Sequence, residues 1–250
     1  MKIVRYVDSK LGTRMGLVID GRVYDLTSLT QGHVVSFDSL LAVSEGNTPR
    51  FLFQEVLPRL KTQGWYPYEA LDIKPSTGPR YLIQPLDPPE VWAAGVTYEQ
   101  SRMARENETK TKSIYDRVYD APRPEIFFKA TPNRITGPFG SVCLRSDSKW
   151  MVPEPELGLV LGSSGHIIGY IIGNDMSSRD IEGENPLYLP QAKVYKNSCA
   201  LGPVVALQHE GFDATNLTIH CCIKRDGQTV FAESTNTNKL KRTFAELVGF

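Results

Sequence analysis

The sequence has no excess of either charge, no long apolar run, and few cysteines or histidines. Lys plus Arg and Asp plus Glu both total 28, so nothing in the charge favours nucleic acid or an anionic membrane. No stretch approaches the roughly 18 apolar residues of a transmembrane helix, and the first residues predict no signal peptide. The four cysteines (143, 199, 221 and 222) show no CxxC spacing and predict reduced thiols in a cytoplasmic protein.

The pattern of short apolar segments predicts two regions. Residues 1–81 combine short strand patterns with two helical ones, which predicts a small α+β domain. From 90 to 250, short apolar strands separated by Gly, Pro, Asn and Asp predict a mostly β core with short helices. The predicted N-terminal elements are strands at Lys2–Val7, Arg14–Ile19 and Arg22–Leu26, a hairpin turn at Asp20–Gly21, and helices at Ser36–Ala42 and Pro49–Gln63, the second weakened by Pro58.

Two further segments are less regular. The polar stretch Tyr98–Thr109 predicts a surface helix or a mobile lid. Asn238–Phe250 reads as an amphipathic helix that stops without a polar cap. We therefore expect either that this helix packs as a terminus or that the natural protein continues beyond Phe250.

Three acidic side chains are predicted to meet on one face of a β-hairpin. A strand at Met151–Leu161 and a return run at His166–Gly173 flank a Gly-Ser-Ser-Gly turn signal. If the turn centres on its two serines, Glu156 faces Ile171 and Glu154 faces Gly173. Because side chains alternate along a strand, Asp175 becomes a diagonal neighbour of Glu154, roughly 7–8 Å away.

Such a cluster needs positive charge. No Lys or Arg lies on that face of the hairpin, so the three carboxylates would repel one another strongly. A hard divalent cation such as Mg²⁺ relieves this repulsion, since it takes oxygen ligands and keeps waters that a substrate can replace. The sequence therefore predicts a Mg²⁺ site formed by Glu154, Glu156 and Asp175.

Several motifs of the second region occur in a characteristic order. They are Ala94–Tyr98, Pro124–Lys129, Glu154–Leu157, Gly173–Asp180 and Ala200–Pro203. Together they resemble the fumarylacetoacetate hydrolase superfamily, from about residue 90 to the C-terminus. The resemblance implies a mixed β-roll core behind a small N-terminal domain, a homodimer or higher homo-oligomer, and Mg²⁺ or Mn²⁺ held by the Glu-x-Glu pair and the later Asp.

Within the superfamily, the segment Asp180–Tyr195 is similar to the 2-keto-3-deoxy-sugar-acid dehydratases. The resemblance implies that Glu125 and Lys193 are the catalytic acid–base residues. The sequence pattern itself predicts that Lys193 lies in a loop between Pro190 and the next strand. Lys129, on the strand face of Glu125, is predicted to contact the substrate or to support the site from behind. The neighbouring Arg179 and Asp180 are interpreted as a structural ion pair.

The predicted chemistry is dehydration of a small 2-keto acid. Such an acid chelates a hard cation through its carboxylate and keto oxygens, and the chelate stabilises the enolate left when a C3 proton is removed. Loss of the C4 hydroxyl is easier when an acid protonates it. One base and one acid are therefore needed, and Glu125 and Lys193 can fill these roles in either order. A 2-keto-3-deoxypentonate would give 2,5-dioxopentanoate.

One departure from the superfamily favours dehydration over hydrolysis. Its hydrolases usually carry a water-activating His three residues after the tyrosine of the motif, where this sequence has Ser101. None of the four histidines (33, 166, 209 and 220) lies near that motif. Glu99 or Glu106 could substitute, so hydrolysis of a 2,4-diketo acid or acylpyruvate stays the alternative hypothesis. A third hypothesis is a non-catalytic protein in which the cation only stabilises the hairpin.

Overall fold

The computed structural model describes residues 1–45, 47–99 and 114–250. The strands are β1 (Lys2–Asp8), β2 (Gly12–Ile19), β3 (Arg22–Asp25), β4 (Trp65–Pro67), β5 (Arg80–Ile83), β6 (Val91–Gly95), β7 (Glu125–Ala130), β8 (Ile135–Thr136), β9 (Met151–Val152), β10 (Pro155–Leu161), β11 (Ile167–Asp175), β12 (Ser177–Ser178), β13 (Cys199–Leu207), β14 (Thr218–Arg225) and β15 (Gln228–Asn236). The α-helices are α1 (Leu26–Leu29), α2 (Phe37–Val43), α3 (Thr48–Phe51), α4 (Ile114–Asp120), α5 (Arg179–Glu184), α6 (Leu189–Lys193) and α7 (Phe244–Val248). The predicted mixed, sheet-dominated α+β fold is confirmed.

A nine-stranded sheet organises the molecule. Its main path runs β10-β11-β13-β1-β2-β3-β4, with β5 also paired to β1 and β8 to β13. Strand β1 pairs antiparallel with β13, where Lys2 lies opposite Ala206 and Ile3 opposite Val205. The sheet is thus continuous across the two predicted regions, while their boundary near residue 81 stays a prediction. Within the described ranges, no helix is long and apolar enough to cross a membrane.

The N-terminal strands follow the predicted pattern. Strands β1, β2 and β3 form at the expected places, and β2 and β3 are joined by a turn in which Asp20 and Gly21 have φ of 47° and 72°. Both angles lie in the left-handed region that two-residue hairpin turns of type I′ require. Ile3 and Leu17 point into the main core, where they are fully buried.

The second predicted helix is shorter than expected. Regular α-helix covers only Thr48–Phe51, capped by the Asn47 side chain, which accepts a hydrogen bond from the Arg50 amide. The chain continues as a π-helix over Leu52–Val56 and a 3₁₀-helix over Leu57–Thr62. Pro58 accounts for the change, since it has no N–H to donate and its ring clashes with the preceding turn.

The helix predicted over Asn238–Phe250 was wrong in extent. It begins only at Phe244, because Thr243 and Glu246 form a capping box that starts a new helix there. Leu240 lies outside the helix and forms an antiparallel bridge with Tyr98. Beyond Glu99, the predicted lid lies outside the described residues.

A buried carboxylate closes the end of β1. Asp8 is 3% exposed, accepts hydrogen bonds from the amides of Lys10 (2.9 Å) and Leu11 (3.2 Å), and pairs with Arg80 at 2.5 Å. The two amides and Arg80 outweigh the effect of burial and lower the pKa of Asp8. The negative charge is therefore part of the folded structure.

We expect Asp8→Asn to lower the free energy of unfolding by about 1.5–3 kcal/mol at pH 7, the range for hydrogen bonds to charged groups. Because the folded-state pKa is depressed, this contribution is full above the unfolded-state value of about 3.9 and is lost as the pH falls through the folded-state value. Urea denaturation against pH measures it. Asp20→Asn, in the exposed turn, is the matched control, and an equal loss in both variants would contradict the assignment.

Candidate metal centre and active site

The structure brings the three predicted carboxylates together, with a different register from the one predicted. Strands β10 and β11 pair so that Glu156 lies opposite Gly173, and the Asp175 amide donates to the carbonyl of Glu154 at 2.9 Å. The predicted pairing of Glu156 with Ile171 was wrong by two residues. The loop is longer than a two-serine turn, since it closes between Gly162 and His166 after a bulge at the end of β10.

An even shift preserves the faces of the strands. Glu154, Glu156 and Asp175 still share one face, and Glu154 becomes the direct neighbour of Asp175 rather than a diagonal one. One carboxylate oxygen from each residue lies within 4.8 Å of the others. Three hard oxygen donors this close fit Mg²⁺, which is bound through a few carboxylates and retained waters. Mn²⁺ accepts the same donors.

Two lysines from other elements form ion pairs with this cluster, although the hairpin face itself was predicted to carry no Lys or Arg. The Lys193 ammonium lies 2.5 Å from Glu154 Oε2 and 2.9 Å from Asp175 Oδ2, and it donates to the Ser177 hydroxyl at 2.7 Å. Lys193 is the last residue of α6 rather than part of a loop, and it is 2% exposed. Repulsion among the carboxylates is therefore partly relieved by the protein itself.

Lys129 lies beneath the cluster on strand β7. It is 1% exposed, and its ammonium pairs with Asp175 Oδ1 at 2.6 Å. It also donates to the carbonyls of Met176 at 2.9 Å and Lys193 at 2.6 Å. Burial lowers the pKa of Lys129, while Asp175 opposes that change. These three contacts tie β7, the end of β11 and the end of α6 to one another.

Sequence reasoning missed two residues of the cluster, Arg179 and Glu182. Arg179 does not act through an ion pair with Asp180, because its guanidinium donates to Glu154 at 2.9 Å and approaches Glu182 at 3.4 Å. Asp180 instead accepts from the Ser148 hydroxyl and from two backbone amides. The spacing of 179 and 182, which places both on one helical face, is the signal that could have found them.

Of the three carboxylates, Glu156 is the one without an ion-pair partner among the described residues. Both other carboxylates pair with Lys or Arg. Burial, followed by the charges of Asp175 and Glu154, raises the pKa of Glu156 to about 8. A dication beside Glu156 would reverse this effect, so the electrostatics of the residues present fit a metal site.

Glu125, the other predicted acid–base residue, lines the same cavity as the carboxylate cluster. It begins strand β7 opposite Gly95 of β6, where a Cβ atom would lie 2.1 Å from the Glu125 carboxylate. Glycine at 95 therefore leaves room for that carboxylate. Glu125, Lys193 and the three clustered carboxylates line one cavity of about 610 Å³, a size typical of small-molecule sites.

The cavity's setting matches a known family. Residues 90–250 match the family described as fumarylacetoacetate (FAA) hydrolase, C-terminal. The chain belongs to the fumarylacetoacetate hydrolase family. This membership confirms the resemblance seen in the sequence, and it covers every residue of the carboxylate cluster.

Two curated relatives within the family are named as dehydratases. "Probable 2-keto-3-deoxyxylonate dehydratase" of Haloferax volcanii is 51% identical over 171 residues, which are 68% of this chain and 59% of that protein. "2-dehydro-3-deoxy-D-arabinonate dehydratase" of Saccharolobus solfataricus is 50% identical over 173 residues, 68% of this chain and 58% of that protein. The matched part of this chain thus spans less than two thirds of either relative.

A solved structure of the family has the same fold. The 2-keto-3-deoxy-D-arabinonate dehydratase complexed with magnesium and 2,5-dioxopentanoate superposes with a TM-score of 0.80 and 38% identity. The match covers 99% of this chain and 81% of that one. The similarity therefore includes the N-terminal region, which the family match at 90–250 leaves out.

Proposed function

We propose that this protein is a Mg²⁺-dependent hydro-lyase that dehydrates a 2-keto-3-deoxy sugar acid, with a 2-keto-3-deoxypentonate giving 2,5-dioxopentanoate. The observation that supports this function most directly is a shared cavity, which is lined by Glu125 and Lys193 together with Glu154, Glu156 and Asp175. The similarity to sugar-acid dehydratases, one of them complexed with magnesium and 2,5-dioxopentanoate, supports the proposal.

The metal would be held by Glu154, Glu156 and Asp175, with Mn²⁺ as a substitute for Mg²⁺. When bound, it supplies a Lewis acid that stabilises negative charge on the keto oxygen. The ammonium group of Lys193 lies at the edge of this centre and can transfer a proton there. Its ion pairs with Glu154 and Asp175 hold it in place. Glu125 supplies a carboxyl group on a separate strand.

Glu125 and Lys193 divide the proton transfers between them. One accepts the proton from C3 of the substrate, and the other protonates the C4 hydroxyl as it leaves as water. The electron pair of the broken C3–H bond forms the C3–C4 double bond, and the C4–O pair leaves with the hydroxyl. The product of this step is a 5-hydroxy-2-oxopent-3-enoate, and loss of a proton from C5 with gain of a proton at C3, through the dienol, then gives the dioxo acid by way of its enol. Atoms and charge balance without an added oxidant or reductant.

The histidines support dehydration over hydrolysis. All four lie in the described part of the chain, and none lines the carboxylate cavity. No imidazole of this chain is thus in place to activate water there. Ser101, which stands where the hydrolases carry their water-activating His, lies outside the described residues, as does the alternative base Glu106.

Incubation of the purified protein with 2-keto-3-deoxypentonates and Mg²⁺ tests this function. We expect the substrate to lose one water and form a dioxo acid, which mass spectrometry detects. No product should form when the metal is chelated. Release of pyruvate from an acylpyruvate, with no turnover of the pentonates, would instead favour the hydrolase hypothesis. Inactivity on both, with a melting temperature still raised by Mg²⁺, would favour a bracing cation.

Lys129 was predicted to contact the substrate or support the site, and its contacts favour support. We expect Lys129→Met to lower the free energy of unfolding by about 3–5 kcal/mol, because it removes one partner of a buried ion pair. Urea denaturation measures this, with exposed Lys149→Met as the control. A substrate contact would leave the stability unchanged and raise KM.

The wider setting is also a proposal. We infer that the protein acts in the cytoplasm on a small-molecule 2-keto acid and assembles as a homodimer or higher homo-oligomer. The absence of a charge excess supports a small-molecule partner over nucleic acid. Light scattering coupled to size exclusion measures the oligomeric state, and a monomeric mass for the active protein would contradict the assembly.

A further inference from the structure

The hairpin of β14 and β15 forms a wall of the carboxylate cavity. Strand β14 contacts β10, the strand that carries Glu156. The hairpin is otherwise a separate two-stranded sheet. Its residues that line the cavity include Ile219, Cys221, Phe231, Glu233 and Thr235.

The pairing register explains why these side chains share one face. Ile219 lies opposite Thr235, and Cys221 lies opposite Glu233. Directly opposed residues of an antiparallel pair project to the same side of the sheet. The inner face is therefore mostly apolar, and Glu233 and Thr235 provide its strong hydrogen-bonding groups.

Thr235 has hydrogen-bonding capacity that the protein does not use. Its Oγ1 is buried and has no hydrogen-bond partner among the described residues. A buried hydroxyl left unpaired is unfavourable, and native structures satisfy most such groups. Because a hydroxyl both donates and accepts, a ligand hydroxyl in the adjoining cavity would satisfy it.

The charge of Glu233 restricts which part of a ligand this wall can face. A carboxylate accepts hydrogen bonds and repels another carboxylate, so the wall suits hydroxyl donors rather than the acid end of a ligand. The acid end is also the part that would chelate a metal at the carboxylate cluster. Both the wall and the carboxylate cluster line the same cavity of about 610 Å³.

We propose that Thr235 and Glu233 bind the terminal hydroxyl of the substrate and so select hydroxylated 2-keto acids over their deoxy analogues. This inference rests on the proposed function, because it takes the keto-acid end to lie at the metal. A site built to hydrogen-bond a hydroxyl discriminates strongly against a ligand that lacks it, since its own polar groups are then left unpaired.

Binding of two unreactive ligands tests the inference without turnover. Titration calorimetry in Mg²⁺ compares 5-hydroxy-2-oxopentanoate with 2-oxopentanoate, neither of which has a C4 hydroxyl to lose. We expect the wild type to bind the hydroxylated ligand at least about tenfold more tightly. Thr235→Val should reduce that preference several-fold and leave 2-oxopentanoate binding unchanged, and Glu233→Ala should act in the same direction.

Thr229→Val is the matched control. Thr229 lies on the same strand, with its hydroxyl 3.8 Å from the sulfur of Cys222 on the other face of the hairpin. We expect it to keep the wild-type preference. The inference is overturned if the wild type shows no preference or binds neither ligand, if Thr235→Val keeps the preference, or if the control loses it equally.

Kinetics separate this inference from the proposed function. The 2-keto-3-deoxypentonate is compared with 4-hydroxy-2-oxopentanoate, which keeps the leaving hydroxyl and lacks the terminal one. Thr235→Val should raise KM for the first and leave kcat/KM for the second unchanged. Ligand preference without any dehydration would refute the proposed function alone, whereas dehydration without ligand preference would refute this inference alone.

Discussion

Lys193→Met and Glu125→Gln are each expected to lower kcat for a 2-keto-3-deoxypentonate by roughly 10²- to 10⁴-fold, the usual contribution of a general acid or base. Both substitutions keep most of the side-chain volume and remove the group that transfers a proton. Calorimetric titration should show that both variants still bind Mg²⁺, because the three clustered carboxylates are intact.

The two variants should differ in stability. Lys193 is almost fully buried between Glu154 and Asp175, so its loss leaves carboxylates short of positive charge and lowers the melting temperature without metal. Mg²⁺ should raise the melting temperature of Lys193→Met by more than that of the wild type. Exposed Lys196→Met is the matched control, and wild-type turnover by either active-site variant would refute its assigned role.

Glu156→Gln is expected to weaken Mg²⁺ binding at least about 100-fold, or about 2.8 kcal/mol at 1.4 kcal/mol per factor of ten. Glu156 is the carboxylate of the cluster with no cationic partner among the described residues, so its charge is the one most available to a metal. At 100 times the wild-type Kd, Mg²⁺ should stabilise the wild type by about 2.7 kcal/mol and Glu156→Gln by about 0.4 kcal/mol or less, so the melting temperature of the variant should hardly rise.

The same residue sets a pH dependence. A pKa of about 8 for metal-free Glu156 means that Mg²⁺ competes with a proton, so its affinity should rise with pH up to about 8 and then level off. Because this pKa is raised above the unfolded-state value of about 4.3, the metal-free protein should lose stability as the pH rises between the two values. Glu156→Gln should flatten both curves, while exposed Glu69→Gln should follow the wild type. An unchanged slope in Glu156→Gln would contradict the assignment.

Local patterns predicted the parts of the structure that local physics determines. Strands β1 to β3 follow from alternation and from the Asp20–Gly21 turn. The meeting of Glu154, Glu156 and Asp175 survived an error in register, because a shift of two residues leaves every side chain on its original face. Loop closure after the bulge of β10 set the true register, and composition alone does not fix the length of a loop.

Tertiary contacts account for what could not be predicted. Lys193 reaches Glu154 across 39 residues, and the position of its helix depends on packing that no short motif encodes. Arg179 was assigned to its sequence neighbour, although the fold turns it toward Glu154. The predicted repulsion among the three carboxylates was therefore overestimated, because basic residues from α5, α6 and β7 form ion pairs with two of them.

The pairing of β1 with β13 has a consequence for how the chain is made. Strand β1 leaves the ribosome before β13, whose paired residues lie about 200 residues further along. At roughly 5–20 residues per second, Lys2 and Ile3 at that edge of β1 wait about 10–40 s for their neighbour, whereas Arg5–Asp8 pair sooner with β5. Contacts this distant slow folding, and an unpaired edge invites association with other chains. The protein should therefore depend on chaperones during synthesis far more than during refolding at high dilution.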